Sequence, residues 1–274
     1  MKRTIRLALS IVMSITLSAA LSGCSSDQPS AAAAVSQTAG MTGDQYRQAV
    51  HDALSGQSHV AMISDGTQSA GPGAASRMQS SDRVDLDSEG RVVARDLISP
   101  EGTYMYQVIA VDGRLFAAGT SPDLQTGKPY VEIDSAFRSA NSNDAEYYDS
   151  LADLGSQSAI AQLTSLVDQV NYVGSETMFG TTVQHYATVA SIDSLIDGTS
   201  GLDRTGFTDL KTQGTEKIDV DTWLDQSNKP VAARIQLSYN NSDGSRTVID
   251  RNMKVLYDDP WGAEIVAPLD RLVG

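Results

Sequence analysis

The stretch that decides the fold is Lys217–Tyr257, KIDVDTWLDQSNKPVAARIQLSYNNSDGSRTVIDRNMKVLY. Ile218, Val220, Thr222 and Leu224 alternate with Lys217, Asp219, Asp221, Trp223 and Asp225. Beyond a turn at 226–229, Val231, Ala233, Ile235, Leu237 and Tyr239 alternate with Ala232, Arg234, Gln236 and Ser238. Beyond Ser242-Asp243-Gly244, the set Ile249, Met253, Val255 and Tyr257 alternates with Val248, Asp250, Asn252 and Lys254, and Arg251 interrupts the apolar positions. Period two over three consecutive segments joined by tight turns specifies an antiparallel meander with one apolar and one wet face.

Working back along the chain, more strand-like runs appear at His59–Ile63, Arg83–Asp87, Arg91–Ile98, Thr103–Val111, Leu115–Ala118, Tyr130–Ile133, Asn171–Gly174 and Thr181–Ala190. Ser88-Glu89-Gly90, Asp112-Gly113 and Phe179-Gly180 mark hairpin turns, and Asp112-Gly113 is the strongest of them. The Gly- and Ser-rich stretch 66–75 reads as a loop. Helices are expected at the start of the body, N-capped by Thr42 or Asp44 with Tyr46, Ala49, Val50, Ala53 and Leu54 on one face, and in mid-chain at 143–154 and 156–170. Residues 191–196 read as a helical turn and 200–213 as a mixed connection. A one-sided apolar sheet of this size needs a cover on that face, which the few helices must supply.

The N-terminus has a different character. Lys2, Arg3 and Arg6 precede a mainly apolar run at 7–21, the pattern of a secretory signal peptide and short for a spanning helix. The run ends in Leu21-Ser22-Gly23-Cys24, and Cys24 is the one cysteine of the 274 residues, so an intrachain disulfide is excluded. Small and apolar residues directly ahead of that cysteine resemble the bacterial lipobox. The expected organisation is therefore a lipoprotein signal at 1–23, a diacylglycerol-bearing Cys24 with a flexible tether to residue 41, and one folded domain at 42–274. The expected location is the extracytoplasmic face of the cell membrane, where two acyl chains suffice for stable anchoring.

Composition narrows the partners. The signal holds three of the 20 basic residues and none of the 34 acidic ones, leaving 17 basic against 34 acidic and a formal charge of −17 on the processed chain. No Lys/Arg cluster follows the signal, which argues against nucleic acid. The chain lacks a G-x-S-x-G elbow, and its histidines, His51, His59 and His185, lack zinc-site spacing. His185 shares a strand face with Val183 and Ala187 and reads as a partly buried, hydrogen-bonded residue rather than a general base. Asp85-x-Asp87-x-Glu89-Gly90-x5-Asp96 approaches a calcium loop, but its flanks read as hairpin strands and position 12 is Asp, not Glu. No enzyme, metal or cofactor is expected beyond the covalent diacylglycerol on Cys24.

The order of parts carries a resemblance. A lipobox, an early helix, many antiparallel strands, a mid-chain helical pair, Trp223-Leu224-Asp225-x4-Pro230-Val231, Val183–Thr188 (VQHYAT) closing on the Gly174–Gly180 turn, and Trp261-Gly262 … Ala267-Pro268 together resemble the actinobacterial lipoproteins of the LppX/LprA/LprF/LprG group, which share the LolA-like fold. The resemblance spans most of 42–270. It implies an α+β fold: a strongly curved antiparallel half-barrel of about 10–11 strands, with helices covering its concave side over a lipid-binding cavity. It further implies binding or transport of a lipid or lipoglycan without catalysis. The residues expected to line such a cavity are Ile218, Val220, Leu224, Val231, Ile235, Leu237, Met253 and Val255. The alternative is a non-carrier sensor or interaction module with the same fold, contacting an envelope membrane protein. Periodicity alone does not separate a cavity wall from a filled core, because both are apolar.

Overall fold

The structure, a computed structural model, describes residues 40–70, 75–88, 91–101, 104–119, 124, 129–141, 164, 166–199, 201–241, 243–257 and 264–269. Its strands are β1 (His59–Ala70), β2 (Ser76–Leu86), β3 (Val92–Glu101), β4 (Tyr104–Val111), β5 (Arg114–Gly119), β6 (Val131–Glu132), β7 (Gln169–Met178), β8 (Thr181–Ser191), β9 (Lys217–Leu224), β10 (Pro230–Asn240) and β11 (Arg246–Tyr257). They form a single 11-stranded sheet in the order β6-β5-β4-β3-β2-β1-β11-β10-β9-β8-β7, and the neighbours pair antiparallel. Sequence neighbours are sheet neighbours within β1–β6 and within β7–β11. These two meanders join through β1 and β11, paired from Val60↔Tyr257 to Ala70↔Thr247.

The described helices are α1 (Gly43–Leu54), α2 (Ser135–Ala140), α3 (Ile192–Gly198) and α4 (Gly201–Thr212). All four belong to one sheet face, because their apolar side chains share clusters with the same alternate strand positions. Thr42, not Asp44, caps α1: its hydroxyl accepts from Gln45 N while the Gln45 side chain accepts from Thr42 N at 2.9 Å, a reciprocal capping box. Tyr46, Val50 and Leu54 bury the apolar face of α1 against Tyr186 and Leu224 of the sheet. Each such side chain contributes roughly 1.5–3 kcal/mol relative to exposure.

The meander follows the alternation in its sequence, with odd residues of β9 turned outward and even ones buried. The Asp112-Gly113 turn has positive φ at both positions, 53° and 70°, as a type I′ hairpin requires. Four expectations need correction. Residues 66–70, read as loop, complete β1, because hydrogen bonding to both β2 and β11 outweighs the poor strand preference of Gly and Ser. The connection at 200–213 is helix α4, held by Phe207 and Leu210 buried in the main core. The second mid-chain helix does not reach Val170, since β7 begins at Gln169 and pairs Val170 with Thr188. The remainder of that helical pair, 143–163, lies outside the described residues.

The fourth correction concerns Val231. The β9–β10 register shifts between Pro230 and Ala232. Pro230 has no N–H to give the ladder, and a bulge is where a strand tolerates that. The extra residue sets Pro230 opposite inward Leu224 and Ala232 opposite outward Trp223, with Ala233 inward again opposite Thr222, and leaves Val231 half-buried.

Candidate functional site

The helix-bearing face is the candidate site. Ile218, Val220, Ile235, Leu237, Met253 and Val255 lie in one buried cluster with Val60 and Met62 of β1, Ile192 and Leu195 of α3, and Phe207 and Leu210 of α4. Leu224 falls in the adjoining cluster under α1, with Tyr46, Val50, Leu54 and Tyr186. Val231 belongs to neither. Further along the same face, Leu97, Tyr106, Val108, Ala110, Leu115 and Ala117 form a separate apolar patch with Leu124 and Ile133.

Between the two patches the same face turns polar. Successive rows across the sheet read Arg251–Gly66–Met78, Met253–Ser64–Ser80 and Val255–Met62–Asp82–Leu97, with Val60–Val84–Arg95 beyond. Ser64, Ser80, Asp82 and Arg251 are all buried. Asp82 accepts from Arg95 Nε at 2.9 Å and Nη2 at 2.8 Å, a bidentate ion pair that is 1% and 17% exposed at its two side chains. Desolvation pushes the Arg251 guanidinium down to about 10, so it keeps its charge at neutral pH. Its stem passes over Gly66, where a Cβ would stand 2.8 Å from Arg251 Cγ and 2.5 Å from the Asp250 carbonyl oxygen. The face is thus amphipathic: apolar, then charged, then apolar.

Sequence alternation marked Arg251 as an interruption but not its neighbours. Ser64, Ser80 and Asp82 assemble beside it only through the β1–β11 and β1–β2 registers, which no local pattern encodes. Met62 and Val60 were in phase with the apolar face and detectable within their own strand.

The opposite face carries the other candidate residues. His185 places Nδ1 at 2.7 Å from Glu176 Oε1 and Nε2 at 3.1 Å from Asp221 Oδ1. Its ring stacks on Trp223 with centroids 4.5 Å apart, and Trp223 Nε1 donates to Glu176 Oε2 at 3.2 Å. The imidazole is thus partly buried and hydrogen-bonded through both nitrogens. The acidic run beginning at Asp85 is dispersed among separate partners. Asp85 Oδ1 lies 2.7 Å from His59 Nδ1 and its Oδ2 accepts from Ile265 N at 2.9 Å, Asp87 holds Arg91, and Asp96 accepts from Gln107. Burial pushes the Asp96 carboxyl up, against the opposing Gln107 bond. Among the described residues no group of three or more His, Cys, Asp or Glu is placed to hold a metal ion. A cleft of about 550 Å³ also opens on this face over β9–β11, but Glu216, Lys217, Asp219 and Arg246 line it, which suits polar solutes rather than acyl chains.

Cys24 and Trp261-Gly262 lie outside the described residues, among which no helix is long and apolar enough to cross a membrane. No family model matches the sequence, and no curated protein does. Solved structures do. LprF from Mycobacterium bovis is 10% identical, with 82% of this chain and 96% of that one covered and a TM-score of 0.44. The Mycobacterium tuberculosis lipoprotein LppX is 14% identical, with 81% and 96% covered and a TM-score of 0.34. A LolA-superfamily protein from Nitrosomonas europaea is 12% identical, with 81% and 96% covered and a TM-score of 0.30. Over most of its length, then, the chain is similar in structure to LprF, LppX and a LolA-superfamily protein.

Proposed function

We propose that this chain is a lipid-anchored envelope lipoprotein that holds a lipid or lipoglycan against the helix-bearing face of its sheet. The observation that carries the reading is the amphipathic order of that face. Apolar patches across β9–β11 and β3–β5 suit acyl chains, and the charged seam of buried Asp82 and Arg251 with half-buried Arg95 between them suits a polar headgroup. Burying acyl surface against that face recovers about 25 cal/mol per Å² of the cost a lipid meets when its chains leave a bilayer for water. The lipobox-like run ending in Cys24 supports the reading, because a diacylglycerol there would hold the domain beside a membrane.

Native mass spectrometry after detergent-free purification tests it, with uptake of a fluorescent acyl probe as the second readout. Co-purifying lipid in stoichiometric amount, competed by the probe, is the expected result. Finding no bound lipid and no probe uptake under varied lipid supply would overturn it, and a stoichiometric crosslink to one envelope protein would then favour an interaction module. For the anchor, Cys24→Ala is expected to move the protein from the membrane to the soluble fraction.

A further inference from the structure

The β7–β8 hairpin outruns the sheet. β8 pairs with β9 only as far as Gln184↔Leu224, whereas β7 and β8 continue pairing to Met178↔Thr181. At its tip Phe179 and Gly180 both have positive φ, 52° and 80°, the geometry of a type I′ turn. Asn, Asp or Gly belongs at the first of these positions, and a bulky side chain there is a backbone outlier. The folded domain gives Phe179 little in return, since it is 59% exposed. Lys254 Nζ stands 4.7 Å above one face of its ring. An exposed aromatic kept where turn chemistry disfavours it points to work outside the fold.

Two observations point to what it meets. The tip, Thr177-Met178-Phe179-Gly180-Thr181-Thr182-Val183, carries no charge, in a processed chain of formal charge −17, and the Lys254 cation lies against its ring. The described residues also begin at this hairpin: Gly40 packs so closely on Tyr172 of β7 that a Cβ would lie 2.1 Å from Tyr172 Cβ, and Met41 joins the same cluster. From Tyr172 to the tip is roughly 23 Å at about 3.3 Å per residue. If the stretch from Cys24 to Gly40 is the flexible tether its sequence suggests, it would reach roughly 20–24 Å. An anchor at Cys24 and the hairpin tip can therefore touch one surface together.

We infer that Phe179 and the β7–β8 tip form a second membrane contact, a lipid-inserting wedge with Lys254 at the headgroup level, resting on the reading of Cys24 as the anchor. Aromatic rings beside a cation favour that interface. Flotation with vesicles of phosphatidylcholine containing one-fifth phosphatidylglycerol tests it on the processed chain from residue 24. In the Cys24→Ser background, which removes the acyl anchor, Phe179→Asn should lower vesicle partition at least about fivefold, since a fully buried Phe is worth roughly tenfold or more. Phe179→Trp should retain partition. Because Asn tolerates positive φ, Phe179→Asn should leave the thermal midpoint unchanged or raised, so lost binding is not lost folding. Equal partition of the Asn variant and the parent overturns the wedge, as does an effect of Phe179→Asn on crosslinking to an envelope protein but not on vesicles. The anchor fails separately, if the acylated chain floats no better than the Cys24→Ser chain.

Discussion

Replacing Gly66 by alanine sets two opposed effects against each other, and the structure decides the sign. In the unfolded chain the substitution removes backbone freedom and would stabilise the protein by about 0.4–1 kcal/mol if the site had room. It has none. The new Cβ would meet the Asp250 carbonyl oxygen at 2.5 Å, Arg251 Cγ at 2.8 Å and Arg251 Cα at 3.1 Å. Two of those three atoms are backbone, and β1 is hydrogen-bonded on both edges, so it cannot retreat without parting from β2 or β11. Overpacking a close contact costs about 1–3 kcal/mol, and the backbone share places this site in the upper part of that range. A net loss of about 1–2 kcal/mol follows, or a fall in Tm of roughly 2–8 °C for a domain of this size. Thermal and urea denaturation of Gly66→Ala beside Gly56→Ala would measure it. Gly56 has nothing within 4 Å of a built Cβ, so its variant should be neutral or more stable. A Gly66→Ala protein as stable as wild type would show that β1 and β11 separate freely, and the argument that Gly66 exists to admit Arg251 would fall.

The Asp82–Arg95 pair should behave as a unit. Arg95→Met leaves the Asp82 carboxylate buried without its bidentate partner and is expected to cost about 3–5 kcal/mol, whereas Arg95→Met with Asp82→Leu should recover most of that, by denaturant titration of the full cycle. Asp250 is held below the ordinary carboxylate value of 3.8, first by the Arg234 hydrogen bonds and then by charge, against desolvation. Its folded value lies below its unfolded one, so its contribution is present above 3.8 and disappears as pH falls through the folded value. Asp250→Asn should therefore be less stable than wild type at pH 7, with the gap closing in acid. Thr42→Ala removes one half of the α1 capping box and should cost about 0.5–2 kcal/mol, read as a lower midpoint by circular dichroism.

The antiparallel meander was legible because alternation is a local signal and Lys217–Tyr257 holds it over three strands. The apolar face at Ile218, Val220, Ile235, Leu237, Met253 and Val255 could be read residue by residue for the same reason. Val231 escaped because a bulge at Pro230 changes phase, and phase counting has no memory of a missing N–H. Gly66–Ala70 escaped because a glycine-rich segment becomes strand when both neighbours are already aligned for it, a tertiary condition. The charged seam escaped for a deeper reason. Arg251 meets Gly66 across β1–β11, and Asp82 meets Arg95 across β2–β3, so the site is made by register. The Phe179 turn was visible as a turn, but only its exposure and backbone angle show that its residue does not suit it.

The pairing of β1 with β11 also orders events in time. If the chain is exported as proposed, it leaves its channel N-terminus first, so the strand at the centre of the sheet appears early and its partner last. Until Arg246–Tyr257 has emerged, β1 presents a complete row of open N–H and C=O groups from Val60 to Ala70. The β2–β6 meander can assemble behind it from neighbouring hairpins, but the two halves cannot merge, and pairing over so long a loop is intrinsically slow. Cys24 emerges well before that closure. With Cys24 as the proposed anchor, acylation would act on a chain still unfinished, and a half-sheet would spend its most aggregation-prone interval already held at the membrane surface.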